Sequence, residues 1–313
     1  MKAVLHFAAS AGFRAQIAAA RPADVDIVVV DAADDAGFAR EMRDADVLLH
    51  ALRPVRAADM EGAPGLRLIQ KIGVGVNTID LETAKRLNIA VCNMPGTNTQ
   101  AVVEMTLMLM LAALRRAAHF DAETRAGRGW LATDALDHVG EVCGRTVGLV
   151  GYGAVAARLA PVLQALGADV RYTARSPKAE ATGRYMPLGE LLAVSDVVSL
   201  HCPATSETRG MLGAAAIGGM KRGAVLVNTA RGELVDEMAL TDALRKGHLA
   251  AAGLDVFVQE PVQPDNPLLR LPNVVVAPHI AWLTPETLGR SLGVAFENCR
   301  RLKAGEPLLH RVV

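Results

Sequence analysis

Aromatic side chains are scarce in this chain. Two tryptophans, three tyrosines and six phenylalanines among 313 residues leave its cores to be built from aliphatic side chains and alanine. Cysteine is also sparse: Cys92, Cys143, Cys202 and Cys299 are scattered, with no Cys-x-x-Cys pair. That spacing argues against a disulfide framework or a zinc site, so no metal is expected, and it fits a reducing cytoplasm. Neither sign of charge prevails, because 33 basic residues balance 33 acidic ones. Binding to nucleic acid or to an anionic membrane therefore has no electrostatic footprint, although a local basic cleft for a small anion stays compatible with neutrality. The longest apolar run, Met105 to Leu114, is ten residues; it is too short to span a bilayer and reads as a buried helix. Met1-Lys2 leads directly into a strand-like run, as expected for a chain without a signal peptide. No repeat of 20 to 50 residues and no low-complexity tract is visible.

Apolar β-rich runs alternate with helical stretches along most of the length, a pattern expected of parallel sheets covered on both faces. In the first part the strands are read at Ala3–Phe7, Asp26–Val30, Val47–His50, Leu66–Ile69 and Ile89–Asn93, with helices such as Phe38–Arg43 and Leu81–Leu87 between them. Pro95-Gly96 then punctuates the chain, and Thr97 and Asn98 can cap a long helix from about Thr99 to Arg116. Residues 127 to 145, Gly-rich with Trp130, interrupt the pattern and read as a protruding segment. A second series follows at Thr146–Val150, Val170–Thr173, Val197–Leu200, Ala224–Asn228, Ala251–Leu254 and Asn273–Ala277. Six strands with intervening helices match a complete doubly wound dinucleotide fold. A last helix, about Pro285–Lys303, is long enough to return to the first domain. The expected domains are 1–96 with 285–313, and 97–284, with a cleft between them.

Thr146–Val150 runs straight into Gly151-Tyr152-Gly153. Gly151 permits a tight turn, and Gly153 lets a pyrophosphate approach the backbone. Ala156 is the third small position, where the new helix packs on the strand. The helix N-terminus offers N–H groups and a positive dipole end to phosphates. Ile72-Gly73-Val74-Gly75-Val76-Asn77 mimics this motif but has Thr78 at the third small position. Pro161, inside the helix that starts at Ala154, should kink or loosen it. The strand Val170–Thr173 ends in Thr173-Ala174-Arg175-Ser176, with no carboxylate to take a ribose 2′-OH. Arg175 can instead pair with a 2′-phosphate. The expected cofactor is NADP by preference, with NAD possible.

Ligands of open α/β sheets bind beyond the carboxyl ends of the strands. There the chain carries Arg231, Asp255, Glu260, His279 and His201. Reduction of a ketone by hydride calls for a cation on the substrate carboxylate, a proton donor that titrates near neutrality and a carboxylate that orients the donor. Arg231, His279 and Glu260 would supply all three. His50 and Arg53, after the third strand, face the presumed cleft; Arg53 reads as a surface residue before a substrate contact. Trp282 divides evenly between closing over a substrate and anchoring the last helix.

Asn228-Thr229-Ala230-Arg231-Gly232, Gly253-Leu254-Asp255-Val256-Phe257, Glu260-Pro261 and Pro278-His279-Ile280-Ala281 resemble the D-2-hydroxyacid dehydrogenase family, together with Gly73–Asn77 and Gly151–Gly153. The resemblance covers nearly the whole chain. It implies a flavodoxin-like substrate domain beside a Rossmann domain, with Arg231 as substrate anchor, His279 as acid/base and Glu260 as its partner. It implies Asp255 on the nicotinamide amide and backbone amides of Val74 and Gly75 on the substrate carboxylate. The cofactor set it implies is Gly151, Tyr152, Gly153, Ala154, Val155, Thr173, Arg175, Ser176, His201, Cys202, Pro203, Thr208, Thr229, Ala230 and Asp255. Tyr172 to Pro177 is similar to the NADP-using glyoxylate/hydroxypyruvate reductase branch. The expected activity is reduction of a small 2-keto acid to the D-2-hydroxy acid. An NAD-dependent D-3-phosphoglycerate dehydrogenase and a dinucleotide-sensing corepressor are the alternatives. The expected partners are the small acid itself and a second copy of the chain, as a homodimer. The chain's end soon after the last helix is read as lacking the regulatory domain of many phosphoglycerate dehydrogenases.

Overall fold

A computed structural model describes residues 1–128 and 134–313; Trp130 lies outside the described residues. The chain divides into two compact units, Met1–Asn98 with Trp282–Val313, and Thr99–Ala281. The sequence reading drew these crossings at 96/97 and 284/285. Trp282 belongs to the first unit because its ring is buried in that unit's core, 6.0 Å from Phe7.

The first unit runs β1 (Lys2–His6), α1 (Ala11–Ala20), β2 (Asp26–Val30), α2 (Asp35–Met42), β3 (Val47–His50), α3 (Ala57–Glu61), β4 (Leu68–Lys71), α4 (Leu81–Arg86) and β5 (Ala90–Cys92). Its strands are all parallel, in the order β2-β1-β3-β4-β5. Every residue of β3, β4 and β5 is buried, as continuous apolar strands require when both sheet faces are covered. Ser10, Asp34 and Asp80 each accept a hydrogen bond from the third backbone amide of the helix they precede, satisfying donors the helix cannot. The C-terminal helix, Pro285–Ala304, starts on a Thr284 cap with proline in its first turn and packs against α1.

The second unit runs α5 (Thr99–Leu114), α6 (Ala117–Arg125), β6 (Thr146–Val150), α7 (Ala154–Ala165), β7 (Asp169–Thr173), β8 (Arg184–Tyr185), α8 (Leu188–Val194), β9 (Val197–Leu200), α9 (Ala214–Gly218), β10 (Ala224–Asn228), α10 (Glu237–Arg245), β11 (Leu249–Leu254) and β12 (Val274–Val276). The sheet is parallel, in the order β12-β11-β10-β9-β6-β7-β8. Chain order reverses between β6 and β9, and such a switch point opens a ligand crevice at the strands' carboxyl ends.

Element ends shift by a few residues, as for β4 at Leu68–Lys71 against the reading Leu66–Ile69 and α2 from Asp35 against Phe38. Beyond that, the sequence reading differs in strand number, in the end of the long helix and at Pro161. The sheet has seven strands, not six: β8 is only two residues long, too short to leave a periodicity. The long helix ends at Leu114, and Arg116 turns into the left-handed region (φ 51°) before α6. Pro161 leaves α7 as one continuous helix over Ala154–Ala165. Pro161 and Ala157, whose carbonyl loses its partner, both lie on the exposed side, where water can take that bond.

Candidate active site

Three strand ends of the second unit build the site. β10 delivers Arg231 through a turn fixed by Asn228, a buried residue. The Asn228 side-chain oxygen accepts from the Ala230 amide at 3.0 Å, and its Nδ2 donates to the Arg231 carbonyl at 2.8 Å. This local Asx bonding is what a strand-ending asparagine does. Thr229 Oγ1 meets Thr106 Oγ1 of α5 at 2.8 Å, tying the same turn to the helix behind it. Gly232 follows, and a Cβ there would lie 2.0 Å from the Phe257 carbonyl carbon. Glycine is the residue that lets the β10 and β11 exits touch.

β11 delivers Asp255 and then Glu260. Asp255 is fully buried. Its carbonyl accepts from the His279 amide at 2.7 Å, and its carboxylate oxygens accept from Ile280 at 2.9 Å and Ala281 at 3.0 Å. Burial raises its pKa against those two amides, which lower it. The resemblance assigns Asp255 to the nicotinamide amide. In the structure its carboxylate is closed to solvent and holds the 279–281 turn from behind. That support matters because His279 occupies the left-handed region, φ 54°, a conformation costly for a residue with a Cβ and sustained only by its surroundings.

His279 Nδ1 lies 2.6 Å from Glu260 Oε2, and Glu260 Oε1 accepts from the Phe257 amide at 3.1 Å. Burial works to raise the Glu260 pKa. The hydrogen bond and charge of His279, the Phe257 amide and the nearby Arg231 charge outweigh it, so the carboxyl sits below its usual range. An ionised carboxylate at Nδ1 draws the ring proton there and leaves Nε2 as the working edge. The Arg231 Nη1 donates to the Ala230 carbonyl at 2.6 Å. Arg231, Glu260 and His279 thus share one edge of one sheet.

The residues expected to hold a dinucleotide fall at the switch point. Gly151 adopts φ 93°, and a Cβ there would lie 2.8 Å from the backbone of His201 and Cys202. Only glycine serves both demands. Gly153 caps α7 with no side-chain bond to the helix amides, and nothing lies within 4 Å of where its Cβ would be. The amides of the first turn, which begins with Ala154 and Val155, are therefore open to an anion, as a bound pyrophosphate needs. The Thr173 carbonyl accepts from the Gly151 amide at 2.9 Å, and Arg175 and Ser176 are exposed beyond it. Tyr152 turns inward: its hydroxyl bonds the Thr182 main chain and its ring lies 4.4 Å from Tyr172.

On the other side of the switch point, His201 Nε2 meets Ser199 Oγ at 2.9 Å, and burial pushes the imidazole down to about 4. Cys202 Sγ approaches Met211 Sδ at 3.7 Å. Thr208 Oγ1 donates to the Pro203 carbonyl at 2.6 Å, closing that loop.

In the first unit, Val74 and Gly75 lie in the loop after β4. The Val74 carbonyl accepts from Asn93 Nδ2 at 2.9 Å, and its side chain is exposed. His50 and Arg53 are otherwise engaged. His50 is buried, its Nε2 2.8 Å from the Arg53 carbonyl, while Arg53 pairs with Asp35 and Asp59 and covers the Phe38 ring. Among the described residues no group of three or more His, Cys, Asp or Glu is placed to hold a metal ion, and no helix is long and apolar enough to cross a membrane. Sequence reasoning missed Asn228, Thr106 and Glu237; only Asn228, at a strand end before Thr-Ala-Arg, left a readable signal.

Comparison with known proteins gives a consistent picture. A profile described as D-isomer specific 2-hydroxyacid dehydrogenase, NAD binding domain, matches residues 107–281. The chain is 41% identical over 271 residues to a glyoxylate reductase of Korarchaeum cryptofilum, covering 85% of this chain and 82% of that one. It is 38% identical over 287 residues to a D-3-phosphoglycerate dehydrogenase of Mycobacterium leprae, covering 90% of this chain but 54% of the relative. The crystal structure of the TT0316 protein from Thermus thermophilus superposes with a TM-score of 0.90 at 36% identity, over the full length of both chains.

Proposed function

The chain belongs to the D-isomer specific 2-hydroxyacid dehydrogenases, and on that premise we propose that it reduces a small 2-keto acid of the glyoxylate or hydroxypyruvate type to the D-2-hydroxy acid. The observation that carries this reading is the 2.6 Å contact between His279 Nδ1 and Glu260 on the edge that also bears Arg231.

When bound, a nicotinamide dinucleotide supplies the hydride; Gly151, the open face of Gly153 and the first turn of α7 fit its pyrophosphate. Arg231 pairs with the substrate carboxylate through its forked donors. His279 gives the Nε2 proton to the carbonyl oxygen as charge builds there, and Glu260 stabilises the protonated ring at Nδ1. The proposal adds the backbone amides of Val74 and Gly75 as carboxylate donors; this part rests on the family resemblance. Arg175, without an acid at the end of β7, favours NADPH over NADH. A homodimer in the cytoplasm completes the reading.

Oxidation of D-3-phosphoglycerate with NAD is the second reading, favoured by the Mycobacterium leprae relative. A panel of glyoxylate, hydroxypyruvate and larger keto acids, assayed with NADPH and NADH beside D-3-phosphoglycerate with NAD, separates the two. The proposal expects the highest kcat/KM for a small keto acid with NADPH. Turnover confined to phosphoglycerate and NAD contradicts it.

A further inference from the structure

Glu237 is the first residue of α10, directly after the Asp236 cap. A glutamate there has an ordinary use, since an acid in the first turn interacts favourably with the helix dipole. Here its two oxygens reach sideways instead. Oε1 accepts from the Val258 amide at 2.6 Å, and Oε2 accepts from Asn266 Nδ2 at 3.0 Å. These contacts fasten both ends of the segment that leaves β11, and Glu260 stands inside that segment. Asn266 is itself fixed, because its side-chain oxygen accepts from the Leu268 amide.

The fastening bears directly on the geometry at Glu260. Glu260 Oε1 takes the Phe257 amide, and the neighbouring Val258 amide goes to Glu237. Two successive backbone amides are thus oriented by two different carboxylates. Gly232 packs under the same Phe257–Val258 peptide, so the peptide is held from below by the Arg231 turn and from the side by Glu237. A shift of that peptide would move the Phe257 main chain, and with it the amide that Glu260 accepts from. It would also disturb the short contact to His279 Nδ1.

We infer that Glu237 is a positioning residue for Glu260: by clamping the Val258 amide and Asn266 it sets the orientation in which Glu260 meets His279. The inference rests on the proposed roles of Glu260 and His279. It goes beyond them by placing part of the acid/base apparatus on α10, outside the strand ends.

Two conservative variants separate positioning from the helix-dipole role. Glu237→Gln keeps the reach and the acceptor for the Val258 amide but loses the charge and turns an amide donor towards Asn266 Nδ2, so it isolates the Val258 clamp. Glu237→Asp keeps the charge at the helix start but is one methylene too short for the contacts. Both retain a polar first-turn residue after the Asp236 cap, and thermal midpoints are measured alongside. The readouts are kcat and kcat/KM across pH for keto-acid reduction, together with reduced-dinucleotide affinity.

Positioning predicts that Glu237→Gln stays within about threefold of wild type, whereas Glu237→Asp loses roughly tenfold or more in kcat, a barrier change of about 1.4 kcal/mol. It also predicts that the acid limb of the Glu237→Asp profile moves to higher pH, because Glu260, still partly desolvated, loses part of what holds its carboxyl down. Dinucleotide affinity stays unchanged. The reverse order, with Glu237→Asp normal and Glu237→Gln impaired, overturns the inference, and so do two normal variants or two equally impaired ones. Glu260→Gln is the reference. If it is slow while Glu237→Asp is normal, only the positioning role falls; if Glu260→Gln is itself normal, the underlying functional reading falls.

Discussion

Glu260 holds His279 by its Nδ1, which directs the Nε2 edge of the ring to the proposed proton transfer. The 2.6 Å contact to Nδ1, made by a carboxyl held below its usual range, fixes both ring orientation and tautomer. Glu260→Gln keeps the shape and removes the charge. It should lower kcat by on the order of 10²–10⁴-fold, the scale on which a mis-set acid/base imidazole costs an enzyme. Reduced-dinucleotide affinity, read by fluorescence titration, should hardly change.

Gly232 has no room for a side chain. A Cβ would lie 2.0 Å from the Phe257 carbonyl carbon and 2.4 Å from the Val258 nitrogen, both rigid backbone atoms. Gly232→Ala should cost about 3 kcal/mol of stability and separate Arg231 from Glu260. Denaturant midpoint and activity should fall together; a variant as stable and active as wild type contradicts the close approach.

Acid should weaken the fold through buried imidazoles. Burial, and secondarily the nearby Lys71 charge, lowers His50 to about 3; burial lowers His201 to about 4. His6, stacked on Phe38, is lowered mainly by burial and then by Arg53. These rings stay neutral in the folded chain, whereas in the unfolded chain they take protons below about pH 6.5. Their contribution is therefore complete above about pH 6.5 and lost as pH falls towards the folded values. For His50, which is 3% exposed, the loss at about pH 5 is of order 2 kcal/mol. Urea midpoints at about pH 7.5 and about pH 5 measure the slope, which His50→Gln should flatten.

Much of this was legible in the sequence, for reasons that also explain what was not. Buried parallel strands such as Val47–His50 and Ala224–Asn228 announce themselves as continuous apolar runs. The Gly151–Gly153 turn is readable because its backbone demands are local. Arg231, Glu260 and His279 could be placed on one sheet edge because strand ends in such sheets converge; their proposed roles come from the family resemblance. The two-residue β8 carries no periodicity. The stop at Leu114 depends on Arg116 entering the left-handed region, which nothing in a run of helix formers foretells. Glu237 reads as an ordinary first-turn acid, and its reach to Val258 exists only once α10 and the β11 exit are packed. Asp255 shows the converse, since its motif is plain but its burial behind the 279–281 turn is tertiary.

The proposed preference for NADPH rests on Arg175. This residue is exposed beyond Thr173, where NAD-selective sheets place an acid. Arg175→Ala should raise KM for NADPH roughly tenfold or more and leave KM for NADH nearly unchanged, since only NADPH offers a 2′-phosphate. Equal effects on both cofactors contradict that pairing.

The most direct test is keto-acid reduction by His279→Ala, with reduced-dinucleotide binding measured on the same preparation. The account predicts intact binding and a rate lower by roughly 10²–10⁴-fold, the usual worth of a positioned proton donor. A His279→Ala protein that turns over like wild type, or one that folds yet cannot bind the dinucleotide, contradicts it.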